Sequence, residues 1–290
     1  MPVRHYHSED DDSARWQHFP FRDGDVVVST RSKHGTTWMQ MILLLLIHQR
    51  PDLPAPLPEL SPWLDHLVEP LDDVITRLES QDHRRVVKTH TPLDGIPLDP
   101  RATYVVVGRN PLDAAVSFYP HVQNIDRVRQ AELLGTPVET PPPPPVEEWL
   151  PRWIAKSTDP LEPAESLDKV MWHLGDAWKR RDRGDVVTVH YADLRADLAG
   201  EMRRLADRLG ITVPDPLWDD LVAAATLEAM RAKADELAPD PVGVLSDKRA
   251  FFRSGGLGAG AALLDDQSLQ QYRQRLAELA PPDLVAWVDR

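Results

Sequence analysis

"DVVVSTRSKHGTTWMQMILLLL", Asp25 to Leu46, is the stretch on which the fold turns. Three valines after Asp25 read as a strand buried on both faces, because no polar residue alternates with them. From Thr36 to Gln49 the chain reads as a helix. Between the two lies TRSKHG, in which Gly35 allows close backbone approach and Thr36 and Thr37 open the helix. A strand–loop–helix of this form aims backbone N–H groups and hydroxyls at one point, and the helix N-terminus adds partial positive charge. Lys33 adds a full one. The stretch is built to hold an anion. It is not the nucleoside-triphosphate loop G-x-x-x-x-G-K-[ST], because here the lysine precedes the glycine. An ordinary βα turn whose hydroxyls only cap the helix fits the same letters.

Three further runs have the same buried-strand character: RRVVKT (Arg84–Thr89), TYVVVG (Thr103–Gly108) and DVVTVH (Asp185–His190). Helical patterns fall between and after them, over Thr36–Gln49, Pro111–Arg129, Leu167–Arg183, Leu194–Leu209 and Leu217–Leu237. Strands alternating with helices predict an α/β fold with a P-loop-like central parallel sheet flanked by helices on both faces. The expected organisation is one domain over residues 1–290. Residues 1–12 are acidic and polar and are expected to fray. The run TPVETPPPPPVEEWLP, residues 136–151, is expected to be an inserted loop, since consecutive prolines favour an extended form.

Composition narrows the function. The 290 residues are 42% hydrophobic, enough for a sizeable core. The formal net charge of −13 disfavours general binding to nucleic acid or to anionic membranes. An anionic ligand would therefore need a local cluster of cations. There is no cysteine, which excludes disulfides and zinc–cysteine sites. No signal peptide is evident, and the longest apolar run, Met41 to Ile47, is too short to span a bilayer, so a cytoplasmic protein is expected. The His5–His7 pair is assigned to the frayed tail, and no metal site is expected.

Two more segments carry candidate chemistry. In VVVGRNPLDAAVSFY, Arg109 sits at the C-terminal edge of a buried strand, where ligands bind in open α/β sheets. Asn110 can cap the next helix, and Pro111 suits its first position. Ser117 could meet Arg109 at a phosphate; equally, Arg109 could pair with Asp113 and leave Ser117 to solvent. The second segment ends a strand with Lys88, Thr89 and His90. A hydroxyl nucleophile needs a base with a pKa near neutrality, and a histidine at this edge would suit. A lone histidine there is more often structural.

Taken together, these segments resemble the cytosolic-type sulfotransferases. SKHGTTW resembles the family's K-S-G-T-T-W, with His34 at the serine; RNPLDAAVS resembles R-N-P-x-D-x-x-V-S; and Lys88-Thr89-His90 matches K-T-H. The resemblance runs from about Asp23 to Gly258 and looks most like a bacterial branch of glycolipid sulfotransferases. It implies transfer of a sulfuryl group from 3′-phosphoadenosine-5′-phosphosulfate (PAPS), leaving adenosine 3′,5′-bisphosphate (PAP), to a hydroxyl of a small-molecule, aromatic or lipid acceptor. It makes Lys33, His34, Gly35, Thr36 and Thr37 the 5′-phosphosulfate loop. Arg109 and Ser117 are placed at the 3′-phosphate, Trp38 and Tyr191 at the adenine, and His90 as base with Lys33 and Lys88 beside it. ATLEAM resembles T-S-F-x-x-M, with Thr226 at the serine and Leu227 at the stacking phenylalanine. FFRSGGLGAG resembles F-x-R-K-G-x-x-G-D-W, which assigns Arg253, Ser254 and Gly255 to the donor while replacing its lysine and its Asp-Trp pair. The family's dimer motif is missing, so a homo-oligomer is compatible with the chain but its geometry is not implied. Acceptor choice is expected in the loops Pro51–Pro70 and Ile125–Lys156. A P-loop kinase, and a non-catalytic or weakly active nucleotide-binding protein on a decayed scaffold, remain the alternatives.

Overall fold

The computed structural model describes residues 3–135, 137–138, 143–252 and 256–290. Four parallel strands form the sheet, in the order β2-β1-β3-β4: β1 is Val26–Ser29, β2 Val86–Thr89, β3 Thr103–Gly108 and β4 Val186–His190. The expected strands are all present, each starting one or two residues later than drawn except β3. The longer helices are α1 (Thr36–His48), α2 (Pro111–Gln123), α3 (Val146–Ala155), α4 (Leu167–Trp178), α5 (Leu198–Leu209) and α6 (Asp266–Leu279).

The missing polar alternation in the strands has a direct cause. Val26, Val28, Val86, Val105, Val107, Val187 and Val189 face one core, with α1 and α5. Val27, Val87, Tyr104, Val106 and Val186 face the other, with α3, α4 and α6. Period-two alternation is present, but both faces are apolar, so the letters do not show it. Helix α1 is buried almost all round, from Met39 to Leu46. A helix apolar on every side belongs in the interior.

With both faces covered, polar chemistry is confined to the sheet's two edges. At the N-terminal edge the Arg85 guanidinium donates to both carboxylate oxygens of Asp25, at 2.8 and 2.5 Å, and to the Pro20 carbonyl at 2.8 Å. It also lies over the Phe19 ring. The pair is about 1–2% exposed and ties the start of β1 to the start of β2. The C-terminal edge carries the loops after Ser29, Thr89, Gly108 and His190.

Several boundaries differ from expectation. The helix drawn over Pro111–Arg129 ends at Gln123, because Asn124 turns its polar groups to another segment. Ser246 N–H donates to its carbonyl, Asp247 N–H to its Oδ1, and its Nδ2 to the Asp247 carbonyl. Asp126 then caps a new helix, Arg127–Leu134. Leu217–Leu237 is three short helices, one of them capped by Thr226. The stretch Leu194–Leu209 is interrupted at Asp197, which caps α5. Residues 3–12 are not frayed: Asp12 N–H donates to the Asp65 carbonyl and Leu67 N–H to the Asp10 carbonyl, both at 2.8 Å, so this segment lies along residues 65–67. In the proline-rich run, Val146–Pro151 is the start of α3, with the helix opening after Pro145; Thr136 and residues 139–142 lie outside the described residues. No helix among the described residues is long and apolar enough to cross a membrane.

Breaking the Asp25–Arg85 pair leaves an uncompensated buried charge. Asp25→Asn should lower the unfolding free energy by ~3–5 kcal/mol, measured as a drop in the urea midpoint at unchanged slope.

Candidate active site

The sheet order sets the location. From β1 the chain passes to β2 on one side, while β3 lies on the other, which makes the β1–β3 gap the switch point where open α/β sheets bind ligands. Arg109 bridges that gap. Its guanidinium donates to the carbonyl of Lys33 at 3.0 Å and to that of Gly256 at 3.3 Å, and it lies 4.4 Å from the centre of the Tyr191 ring. The residue is 5% exposed, and its Nε finds no partner among the described residues.

A cavity of about 390 Å³ opens at this edge. Of the residues read from the sequence, it brings together Lys33, Gly35, Thr36, Thr37, Trp38, Lys88, His90, Arg109, Ser117, Tyr191 and Leu227. Gly35 has φ 100°, a left-handed conformation, and a Cβ there would meet the Tyr191 ring at 3.1 Å. It is the N-cap of α1 and contributes no side-chain hydrogen bond, so the first N–H groups of the helix are not taken by a cap side chain. Thr30 and Thr36 hydroxyls meet at 2.5 Å. Trp38 donates to the Ala225 carbonyl at 2.7 Å and sets its ring edge-on to Tyr191.

The three principal cations share one device. Lys33 Nζ lies 3.9 Å from the Phe251 ring centre, Lys88 Nζ 3.9 Å from that of Trp63, and Arg109 over Tyr191. A ring face steadies a cation without cancelling its charge. Burial pulls the Lys88 ammonium down to about 8, against the opposing pull of the Asp11 and Asp65 carboxylates.

His90 is oriented by its backbone neighbour. Its Nδ1 lies 2.5 Å from the Thr30 carbonyl, so Nδ1–H donates and Nε2 keeps the lone pair. Burial, and then the charge of Lys88, hold its pKa well below the usual histidine value. The ring is therefore neutral at pH 7.

Some expected residues sit elsewhere. The His34 ring is fully buried and does not line the cavity; its Nδ1 lies 3.0 Å from the Ser32 carbonyl, and its backbone N–H donates to the Arg31 carbonyl at 3.3 Å. Thr226 caps a helix, accepting from Ala229 N–H and donating to the Ala223 carbonyl, and is not in the wall. Arg253, Ser254 and Gly255 lie outside the described residues. Asp113 does not pair with Arg109. It accepts from Gly258 N–H at 2.8 Å and Gly260 N–H at 2.9 Å, and so anchors the glycine-rich loop to α2. Sequence reasoning also missed Asp10 and Asp11, which line the cavity because residues 3–12 pack against 65–67. Among the described residues no cluster of His, Cys, Asp and Glu could hold a metal ion.

A parallel sheet with an uncapped helix start and a cation at its switch point defines an anion-handling α/β enzyme. The comparisons make this specific: the sequence matches the family described as "Sulfotransferase domain" over residues 23–279, and the chain belongs to that family. It is similar to a glycolipid sulfotransferase of Mycobacterium bovis, 41% identical with 95% of this chain and 91% of that protein covered. It is likewise similar to a glycolipid sulfotransferase of Mycobacterium tuberculosis, 40% identical over the same shares. Among solved structures, mouse sulfotransferase SULT7A1 complexed with PAP has the same fold, with a TM-score of 0.72 at 17% identity, covering 95% of this chain and 90% of that one.

The buried histidines carry a pH signature. Burial takes His34 and His173 from 6.5 down to about 3. The unfolded chain therefore binds protons before the folded one does. Stability should be full above pH 6.5 and fall as pH drops toward 3, by up to ~1.4 kcal/mol per pH unit for each histidine. Urea midpoints at pH 7 and pH 5 measure this, and His34→Ser should narrow the gap between them.

Proposed function

We propose that this sulfotransferase moves a sulfuryl group from PAPS to a hydroxyl of an amphiphilic, glycolipid-type acceptor, with His90 as general base. The observation that carries the reading is the His90 ring: Nδ1 is committed to the Thr30 carbonyl, and the residue lines one cavity with Lys33, Lys88 and Arg109. The wall fits the donor. Arg109 and Ser117 would take its 3′-phosphate, Trp38, Tyr191 and Leu227 would pack its adenine, and the backbone from Lys33 to Thr37 would hold the phosphosulfate. Arg253, Ser254 and Gly255, outside the described residues, are assigned to the donor by the sequence motif alone.

In the reaction, His90 Nε2 takes the acceptor's O–H proton as that oxygen bonds to sulfur. The bond from sulfur to the oxygen of the 5′-phosphate breaks and leaves its electron pair on that oxygen. Lys33, Lys88 and the first N–H groups of α1 meet the developing charge. Positioning and charge stabilisation do most of the work, as in phosphoryl transfer.

The acceptor class rests on two supports. One is the similarity to the mycobacterial enzymes. The other is the remaining wall, where Val122, Ile125, Val244 and Leu245 lie with Asp10 and Asp11. Apolar and hydrogen-bonding groups in one wall suit a lipid-linked polyol. Screening acceptors with labelled donor tests it; turnover of simple phenols with none of any lipid-linked sugar would remove the glycolipid part.

The roles have separable signatures. Arg109→Ala should weaken PAP by ~10–100-fold, the scale of a lost charge-assisted hydrogen bond, while His90→Ala leaves calorimetric PAP binding nearly unchanged. His90→Ala should cut kcat by ~10²–10⁴, the usual worth of general base catalysis. The pH profile of kcat/KM should be a bell. Its acid limb should lie below the ordinary histidine value of 6.5, because the imidazolium cannot accept a proton and His90's pKa is depressed. Its alkaline limb should lie near 8, where Lys88 loses its charge.

A further inference from the structure

Asp65 is a carboxylate buried beneath the site, 1% exposed, on the segment SPWLDHLVEP. Burying a carboxylate is costly unless hydrogen bonds hold it. Its Oδ2 accepts from the hydroxyls of Thr89 and Thr91, at 2.5 and 2.6 Å. These are the two residues that flank His90. Thr91 N–H also donates to Thr89 Oγ1 at 2.9 Å, which closes the turn around the histidine. The same segment grips the strand from its other side. Lys88 N–H donates to the Pro62 carbonyl at 3.0 Å, Leu64 N–H to the Lys88 carbonyl at 3.3 Å, and the Trp63 ring stands edge-on to His90 at 4.6 Å.

We propose that Asp65 is a positioning residue for His90. One carboxylate oxygen fixes the chain on both sides of the base, and the Thr30 carbonyl fixes the ring itself. Neither contact alone is sufficient: the carbonyl sets how the imidazole turns, and the Asp65 clamp sets where its Cα stands. A general base must meet the acceptor oxygen at hydrogen-bond distance, and a misplacement of about 1 Å costs on the order of 10²-fold in rate. The inference rests on His90 acting as the base, and the test separates the two.

The experiment is a double-mutant cycle between position 65 and position 90, read as kcat with PAP affinity measured alongside. Asp65→Ala should lower kcat by ~10–100-fold, by the misplacement argument, with PAP binding unchanged. Asp65→Asn, whose Oδ1 can still accept from both hydroxyls, should recover most of that loss on the acid side of the profile, while its alkaline limb moves down because Lys88 no longer has the Asp65 carboxylate to hold its proton. In the His90→Gln background, Asp65→Ala should cost almost nothing further, because there is no base left to position. Additive losses would show that Asp65 acts on the fold and would overturn the proposal. A His90→Gln enzyme with wild-type kcat would overturn the base assignment itself, and the proposal with it. If Asp65→Ala does not fold, Thr91→Val removes one of the two donors at constant shape; the same non-additivity with His90→Gln is then expected, and additivity there is equally fatal.

Discussion

Burial of the sheet on both faces is the constraint from which the rest follows. Valines at successive positions go to opposite cores, so no strand has a face to spare for chemistry. Polar groups then have two places to go. The N-terminal edge is closed by the Asp25–Arg85 pair. The C-terminal edge is left for the loops, and all four strands deliver a residue there: Lys33 after β1, His90 after β2, Arg109 after β3 and Tyr191 after β4. Parallel strands are what make this convergence possible, since every strand ends on the same side.

The charge of the chain sharpens the requirement. A protein with net charge −13 must hold an anionic donor against its own field. A ring face holds a cation while leaving its charge in place, and each of Lys33, Lys88 and Arg109 has one; Lys88 also feels the Asp11 and Asp65 carboxylates. Asp113, the carboxylate nearest Arg109 in the motif, is occupied with the backbone of Gly258 and Gly260 instead.

The sheet and its parallel sense were legible from sequence because they rest on local signals, valine runs with helical patterns between them, and Gly35 and Arg109 were marked by a helix start and a strand end, whereas Trp38, Tyr191 and Leu227 were reached only through the family resemblance. What was not legible depends on contacts between distant segments. Asp65 stands 24 residues before Thr89, and nothing local marks it as the clamp. Helix α2 ends where Asn124 finds the segment around Asp247, over a hundred residues on, so its own propensity could not mark the stop. Asp10 and Asp11 reach the cavity only because residues 65–67 offer an edge to pair with. His34 was read by its place in a motif, while the fold buries its ring near Arg31, Arg109 and His173, none of them adjacent in that motif.

Strand β2 also separates two kinds of genetic change. Lys88 and His90 line the cavity, and Thr89 and Thr91, one residue out of phase, hold Asp65. Alternation along β2 sets Lys88 and Thr89 on opposite sides, and the turn after Thr89 brings His90 to the cavity and Thr91 to Asp65, so the two sets are interleaved on a single run of five codons with the preceding valine. A substitution at Val87 alters packing in one core and leaves this interleaving intact. Loss of the Val87 codon would be a different event: the remaining valine still looks like a buried strand, yet the lysine and threonine that end β2 each change sides. Family members should therefore drift freely in which aliphatic residue precedes the lysine while keeping the length of this strand invariant.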